Sequence, residues 1–371
     1  MRTLLDSGVD KLLSRHAAFW HRSDVTRPLL APRSLARNSR LGLLFDPTLP
    51  AEGVFTPEMI QPQEIVRRLV NWLEKSGIDD GDVFQVAGLE STIPWMEAAL
   101  GCEIFYSFVH DTMWAEKPTN APWPPGMPDL DKNPWIRKLT ELTSAIDQAS
   151  AGRFPVDTLQ LRGSADLLGA YQGASQLCLL AYDDPQSLHY AVRVCTKLLV
   201  EINARQRKAI RPVQGGYFNH FQVWAPGTTA LWSQDLSTLF SPEMYSEFFL
   251  EGDRQAAMSV DFPVLHTHTS ESHCFSLWSE IDGLTLEITV DPTGKGLEDV
   301  LPELVQLQAH MPLMVQVQTD DELRRAQAEL EPQGLLLVSR HQPGRLSVSE
   351  DVLTRMLLPI HQASIGPEGP T

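Results

Sequence analysis

The sequence predicts an α/β protein, a (β/α)8 TIM barrel with an N-terminal helical extension. Short apolar strands alternate with longer helical patterns, which implies βαβ units and a parallel sheet. Seven or eight such strands in about 260 residues suit a closed barrel better than an open sheet. The doubly wound alternative lacks its usual sign, a Gly-rich turn after the first strand.

The elements follow in order. "MRTLLDSGVDKLLSRH" reads as an amphipathic helix without an apolar signal core or a cleavage site. "PQEIVRRLVNWLEKSG" is a second such helix, ending at Gly77. Residues 1–77 thus form the helical extension packed on the barrel, 78–362 the barrel, and 363–371 a disordered tail. Strands are expected at 83–88, 158–163, 216–224, 263–269, 284–290, 313–318 and 335–341. Helices between them include "DPQSLHYAVRVCTKLLVEINARQRKAI" and "SPEMYSEFFLEGDRQAAM". Segment 113–135, rich in proline and tryptophan, reads as a long irregular loop and a candidate lid.

Composition narrows the function. The 371 residues carry a formal charge of -17, from 47 acids against 30 lysines and arginines. Such a surface repels phosphate backbones and anionic membranes, so neither nucleic acid nor membrane is an expected partner. Residues 22–40, with five arginines and one aspartate, are a local exception. They read as a solvated arm ahead of the first strand, or as an anion site. Cys102, Cys178, Cys195 and Cys274 form no C-x-x-C pair and sit mostly in apolar contexts, which predicts reduced, buried thiols in a cytoplasmic protein.

The chemistry gathers at strand ends. Strand side chains alternate faces, so His266 and His268 in "VLHTHT" point the same way. Thr285, Glu287, Thr289 and Asp291 share one face of the next strand. Polar inward positions elsewhere, Arg162, His220, Trp224 and Gln318, are candidate substrate contacts. In a parallel barrel, sites sit at the C-terminal end of the strands. Two imidazoles at i and i+2, a carboxylate from the next strand and an imidazole from a later one give four candidate metal ligands: His266, His268, Glu287 and His341. Nitrogen and oxygen donors suit zinc and similar divalent ions. A metal-free polar pocket and plain structural histidines remain the alternatives. Cys274 reads as packing rather than as a ligand. Asp235, in "LWSQDLS", either contacts substrate or caps the following turn. Arg162 either holds a carboxylate or pairs with Glu287 or Asp291.

"IPWMEAALGC", "LRGSADLLGAYQG", "LFSPEMYSEFFL", "VLHTHTSES" and "GLLLVSRHQPGRLSVSEDVLTRML" together resemble the uroporphyrinogen decarboxylase superfamily, over roughly residues 83–360. The superfamily includes zinc-dependent methyltransferases acting on methyl-corrinoids and the C-terminal barrel of cobalamin-independent methionine synthase. The zinc-dependent members use a His-x-Cys on one strand and a later cysteine, and methionine synthase adds a glutamate between. His266 matches the histidine, His268 stands at the first cysteine, Glu287 matches the glutamate and His341 stands at the last cysteine. Both thiolates are therefore missing, which leaves a bound metal more acidic. The resemblance implies a zinc-dependent methyltransferase, with Glu287 and His341 as catalytic residues, a corrinoid-carrying protein as donor, and a homodimer; Asp235 joins the catalytic candidates on its own position after the preceding strand. A metal-free carboxy-lyase and a non-catalytic ligand-binding barrel are the other readings.

Overall fold

A computed structural model describes residues 4, 8–32, 49–75, 81–88, 93–117, 122–291 and 294–339. Its centre is a seven-stranded parallel sheet flanked by helices. Twelve strands are assigned among the described residues: β1 (Leu29–Pro32), β2 (Glu52–Phe55), β3 (Glu103–Ser107), β4 (Thr112–Glu116), β5 (Gln160–Arg162), β6 (Tyr217–Phe218), β7 (Trp224–Ala225), β8 (Thr229–Ser233), β9 (Phe262–His268), β10 (Thr285–Thr289), β11 (Leu313–Val317) and β12 (Leu335–Ser339). The central sheet runs β1-β12-β11-β10-β9-β8-β5. Strands β8, β10 and β11 are buried along their whole length, as expected of parallel strands covered on both faces.

Local sequence explains the helices that follow the strands. Helix Pro134–Ser150 starts with a proline in its first turn, and the Asn133 side chain accepts from the N–H groups of Trp135 and Ile136. Helix Pro185–Ala209 repeats the device with Asp184, and helix Pro242–Phe248 with Ser241. Thr319 and Glu322 form a capping box at helix Asp320–Glu329. The apolar faces of these helices pack on Leu161, Leu265, Leu286, Ile288, Val315 and Leu337 in one core.

Several expectations need correction. The first sheet strand is β1, which lies inside the arginine-rich segment and pairs with β12. Within that segment Arg27 is bound to Asp82, and Arg22 donates to the Gln308 carbonyl. Residues 83–88 supply a single bridge, Ala87 to Val156, rather than a strand. Residues 216–224 make an antiparallel hairpin, β6 with β7, instead of one long strand. Its cause is local: Gln222 takes a φ of 66°, and the Asn219 side chain accepts from the Val223 N–H. The stretch 113–135 is regular at both ends, where Met113–Glu116 belong to β4 and Pro134 opens a helix. "SPEMYSEFFLEGDRQAAM" forms two helices, Pro242–Phe248 and Leu250–Ala257. No helix among the described residues is long and apolar enough to cross a membrane.

Candidate metal centre at the strand ends

The parallel register places the key residues side by side. Ser233 of β8, His266 of β9, Glu287 of β10 and Met314 of β11 are successive partners, and His268 pairs with Thr289. His266 and His268 project from one face of β9, with ring centroids 5.0 Å apart and planes at 78°. Asp235 stands two residues beyond β8.

The two imidazoles are held alike. Nδ1 of His266 hydrogen-bonds Glu287 Oε2, and Nδ1 of His268 lies 2.7 Å from Asp291 Oδ1. In the neutral ring a carboxylate at Nδ1 makes that nitrogen the protonated one, so Nε2 is the nitrogen a metal ion would take. Both Nε2 atoms face the same acceptor, Asp235 Oδ1, at 3.6 Å from His266 and 4.0 Å from His268. That oxygen is buried and has no hydrogen-bond partner. One ligand atom from each of Asp235, His266 and His268 lies within 4.8 Å of the other two. Donors about 2.1 Å from one ion stand ~3–3.5 Å apart, so the most distant pair needs to close by roughly 1.5 Å at most.

The supports of the site are themselves anchored. Glu287 is fully buried, and its Oε1 accepts from Gln316 Nε2 at 2.6 Å. Asp291 Oδ2 accepts from Thr269 Oγ1 and the Ser270 N–H, both at 3.2 Å. The loop carrying Asp235 is clamped on both sides. Asp166 accepts from Ser233 Oγ at 2.6 Å and from the Leu236 N–H at 2.7 Å. Gln234 donates to Asp253 at 2.6 Å, and its backbone N–H reaches the His266 carbonyl.

Charge favours a cation here. Burial disfavours the His266 imidazolium, yet Glu287, through charge and hydrogen bond, with help from Asp235 and Asp166, raises its pKa to about 9. Near neutral pH an incoming ion therefore displaces a proton. Cys274 offers no thiolate: burial, then Glu271 and Asp253, push its pKa up to about 12.

The remaining expected site residues scatter. Glu287 meets His266 at Nδ1, on the ring edge away from Asp235. His341 lies outside the described residues. Arg162 pairs with Glu97 at 3.2 Å and stands 3.8 Å from Asp166, rather than meeting Glu287 or Asp291. His220 lies 3.8 Å from Asp157, and the ring that neighbours His266 on this segment is that of Phe221. Trp224 is packed against the N-terminal helix, where its indole N–H donates to the Val213 carbonyl. Gln318 donates to the Val290 carbonyl. The roles of Asp291 and Asp166 were missed. Asp291's signal was present in its place on the Glu287 face of "LTLEITVD".

No family model matches the chain, and no curated protein matches it either.

Proposed function

We propose that the protein is a divalent-metal-dependent enzyme whose ion is held by Asp235, His266 and His268. The observation that carries this reading is the pair of imidazoles, each fixed at Nδ1 by a carboxylate and each turning Nε2 towards one unpartnered buried oxygen. Three protein ligands with room for more is the pattern of catalytic rather than structural sites. The donor set has no thiolate, and zinc or a similar first-row ion fits it.

The central sheet is read as closing into a TIM barrel. Two links between its edges support this. Asp82 N–H donates to the β1 carbonyl of Leu30, and Ala87 bridges Val156, a few residues before β5. The cluster then lies at the C-terminal mouth, where barrel enzymes carry out their chemistry. Within the resemblance to the uroporphyrinogen decarboxylase superfamily, methyl transfer to a metal-held nucleophile is the reaction we favour. A bound ion supplies Lewis acidity that lowers the nucleophile's pKa. The chain's own part is to fix both imidazoles through Glu287 and Asp291 and to hold Asp235 through the Asp166 and Gln234 contacts. A corrinoid-carrying protein as methyl donor, a homodimer and a cytoplasmic setting belong to the same proposal.

Elemental analysis of purified protein tests it. About one ion per chain is expected from the three-ligand chemistry, and His266→Ala, His268→Ala or Asp235→Ala should each lose it. Full occupancy in all three variants would remove the assignment and favour the carboxy-lyase or non-catalytic reading.

A further inference from the structure

We propose that the cavity between the β3–β4 hairpin and the end of β5 binds the organic substrate of the Asp235–His266–His268 site, and that this substrate is a small carboxylate with an apolar body. The inference rests on reading that cluster as the metal centre.

The cavity encloses about 370 Å³, within the range of small-molecule sites. Trp95 and Met96 form one wall, and Met113 and Trp114 of β4 form another. Trp114 is 39% exposed and offers an apolar face, while Trp95 and Met96, 3% and 2% exposed, back the cavity from behind. The polar end is supplied by Arg162, with Glu97 beside it. The Arg162 side chain is 48% exposed, while the Glu97 side chain is only 3% exposed. Glu97 takes the Nε edge of the guanidinium at 3.2 Å. Asp166 stands 3.8 Å from Nη1, beyond hydrogen-bond reach. A guanidinium fixed at Nε by a buried acid presents its Nη edge in one orientation, and that edge matches a carboxylate bidentately. Glu97 cancels the charge of Arg162, while Asp166 at 3.8 Å and Asp235 act on the same guanidinium, so a carboxylate would be held by the directed Nη hydrogen bonds rather than by net positive charge. The other acid of the lining, Asp111, lies in the turn between β3 and β4.

The cavity is also placed to feed the cluster. Arg162 pairs in register with Ser233, and Ser233 with His266. Two strand spacings amount to ~10 Å, which a molecule with its reactive group about eight bonds from its carboxylate can span.

The test uses phenylacetate and its neutral counterpart phenylacetamide, titrated into chelator-treated protein with tryptophan fluorescence as readout. Phenylacetate should bind at least 10-fold more tightly than the amide. Arg162→Gln should erase that preference, with the Glu97→Gln/Arg162→Gln double variant used if the single one leaves Glu97 charged and the protein unfolded. Ala170→Leu, which narrows the cavity, should weaken both probes. Equal binding of the two probes, no binding of phenylacetate, or a preference that survives loss of Arg162 overturns the inference. Zinc titration of the same preparation separates the two readings. Zinc binding without carboxylate preference sinks the pocket alone. Carboxylate preference without zinc binding sinks the metal centre and leaves the pocket standing.

Discussion

His16 should make the protein lose stability as pH falls through the range 6.5 to 4. The residue is fully buried on the N-terminal helix Val9–Trp20. Its Nε2 lies 2.6 Å from the Asp82 carbonyl, and its Nδ1 accepts from the Trp224 N–H at 2.9 Å. The ring is therefore the neutral tautomer with its proton on Nε2. A second proton would face the Trp224 N–H, and burial alone already penalises the charge. Burial, with a smaller push from Arg15 and against the pull of Asp82, lowers the pKa from 6.5 to about 4. Between those values the unfolded chain binds a proton that the folded chain does not. Stability is complete above the unfolded pKa and falls as pH drops towards the folded one. The full loss is about 3 kcal/mol, and from pH 7 to 4.5 about 2.4 kcal/mol.

Another buried group works in the opposite direction. Burial raises the Asp253 pKa from 3.8 to about 6, against the hydrogen bonds it accepts from Tyr245, Gln234 and Trp232. It binds a proton in the folded state first, and so adds stability as pH falls from 6 to 3.8. The wild-type curve alone is therefore ambiguous. His16→Gln resolves it, because glutamine can keep a donor for Asp82 and an acceptor for Trp224 without titrating. Urea unfolding of both proteins at pH 7 and 4.5 gives the difference directly. A gap between wild type and variant that changes by less than about 1 kcal/mol over this range would refute the buried neutral histidine.

Glu287→Gln should leave the fold intact and weaken metal affinity by about 10–100-fold, measured by competition with a chelator. With its oxygen accepting from His266, the new amide turns its NH2 to Gln316, which must present its oxygen instead; unchanged affinity would show that Glu287 does not orient His266. Gly163→Ala should lower stability by about 1–3 kcal/mol and reduce metal affinity as well. A Cβ there would lie 2.4 Å from the Gln234 side chain and 2.5 Å from the Ser233 carbonyl, pushing on the loop that carries Asp235. Normal stability and normal affinity together would show that this loop has slack.

Period-two alternation on β9 and β10 put His266, His268, Glu287 and Asp291 on matching faces, and the parallel register joined them. Strand β8, "TALWS", escaped because its side chains are buried on both faces and show no alternation. Without that strand Asp235 reads as a substrate contact or a turn cap, with nothing to place it beside β9. Strand β1, "LLAP", follows Pro28 and ends on Pro32, a pattern that reads as irregular; only its pairing with β12, some 300 residues on, makes it a strand. The β3–β4 hairpin was hidden by the prolines that follow it, and with it one wall of the cavity at Arg162. The role of Glu287 is a different kind of case. Shared facing puts a carboxylate beside an imidazole whether it ligates an ion or orients the ring that does. The two roles differ in which ring nitrogen the carboxylate meets, a matter of one χ2 rotation of His266. In the folded chain Glu287 takes Nδ1 of His266 and Nε2 is turned to Asp235, which is why the proposed ligand set has Asp235 in place of Glu287.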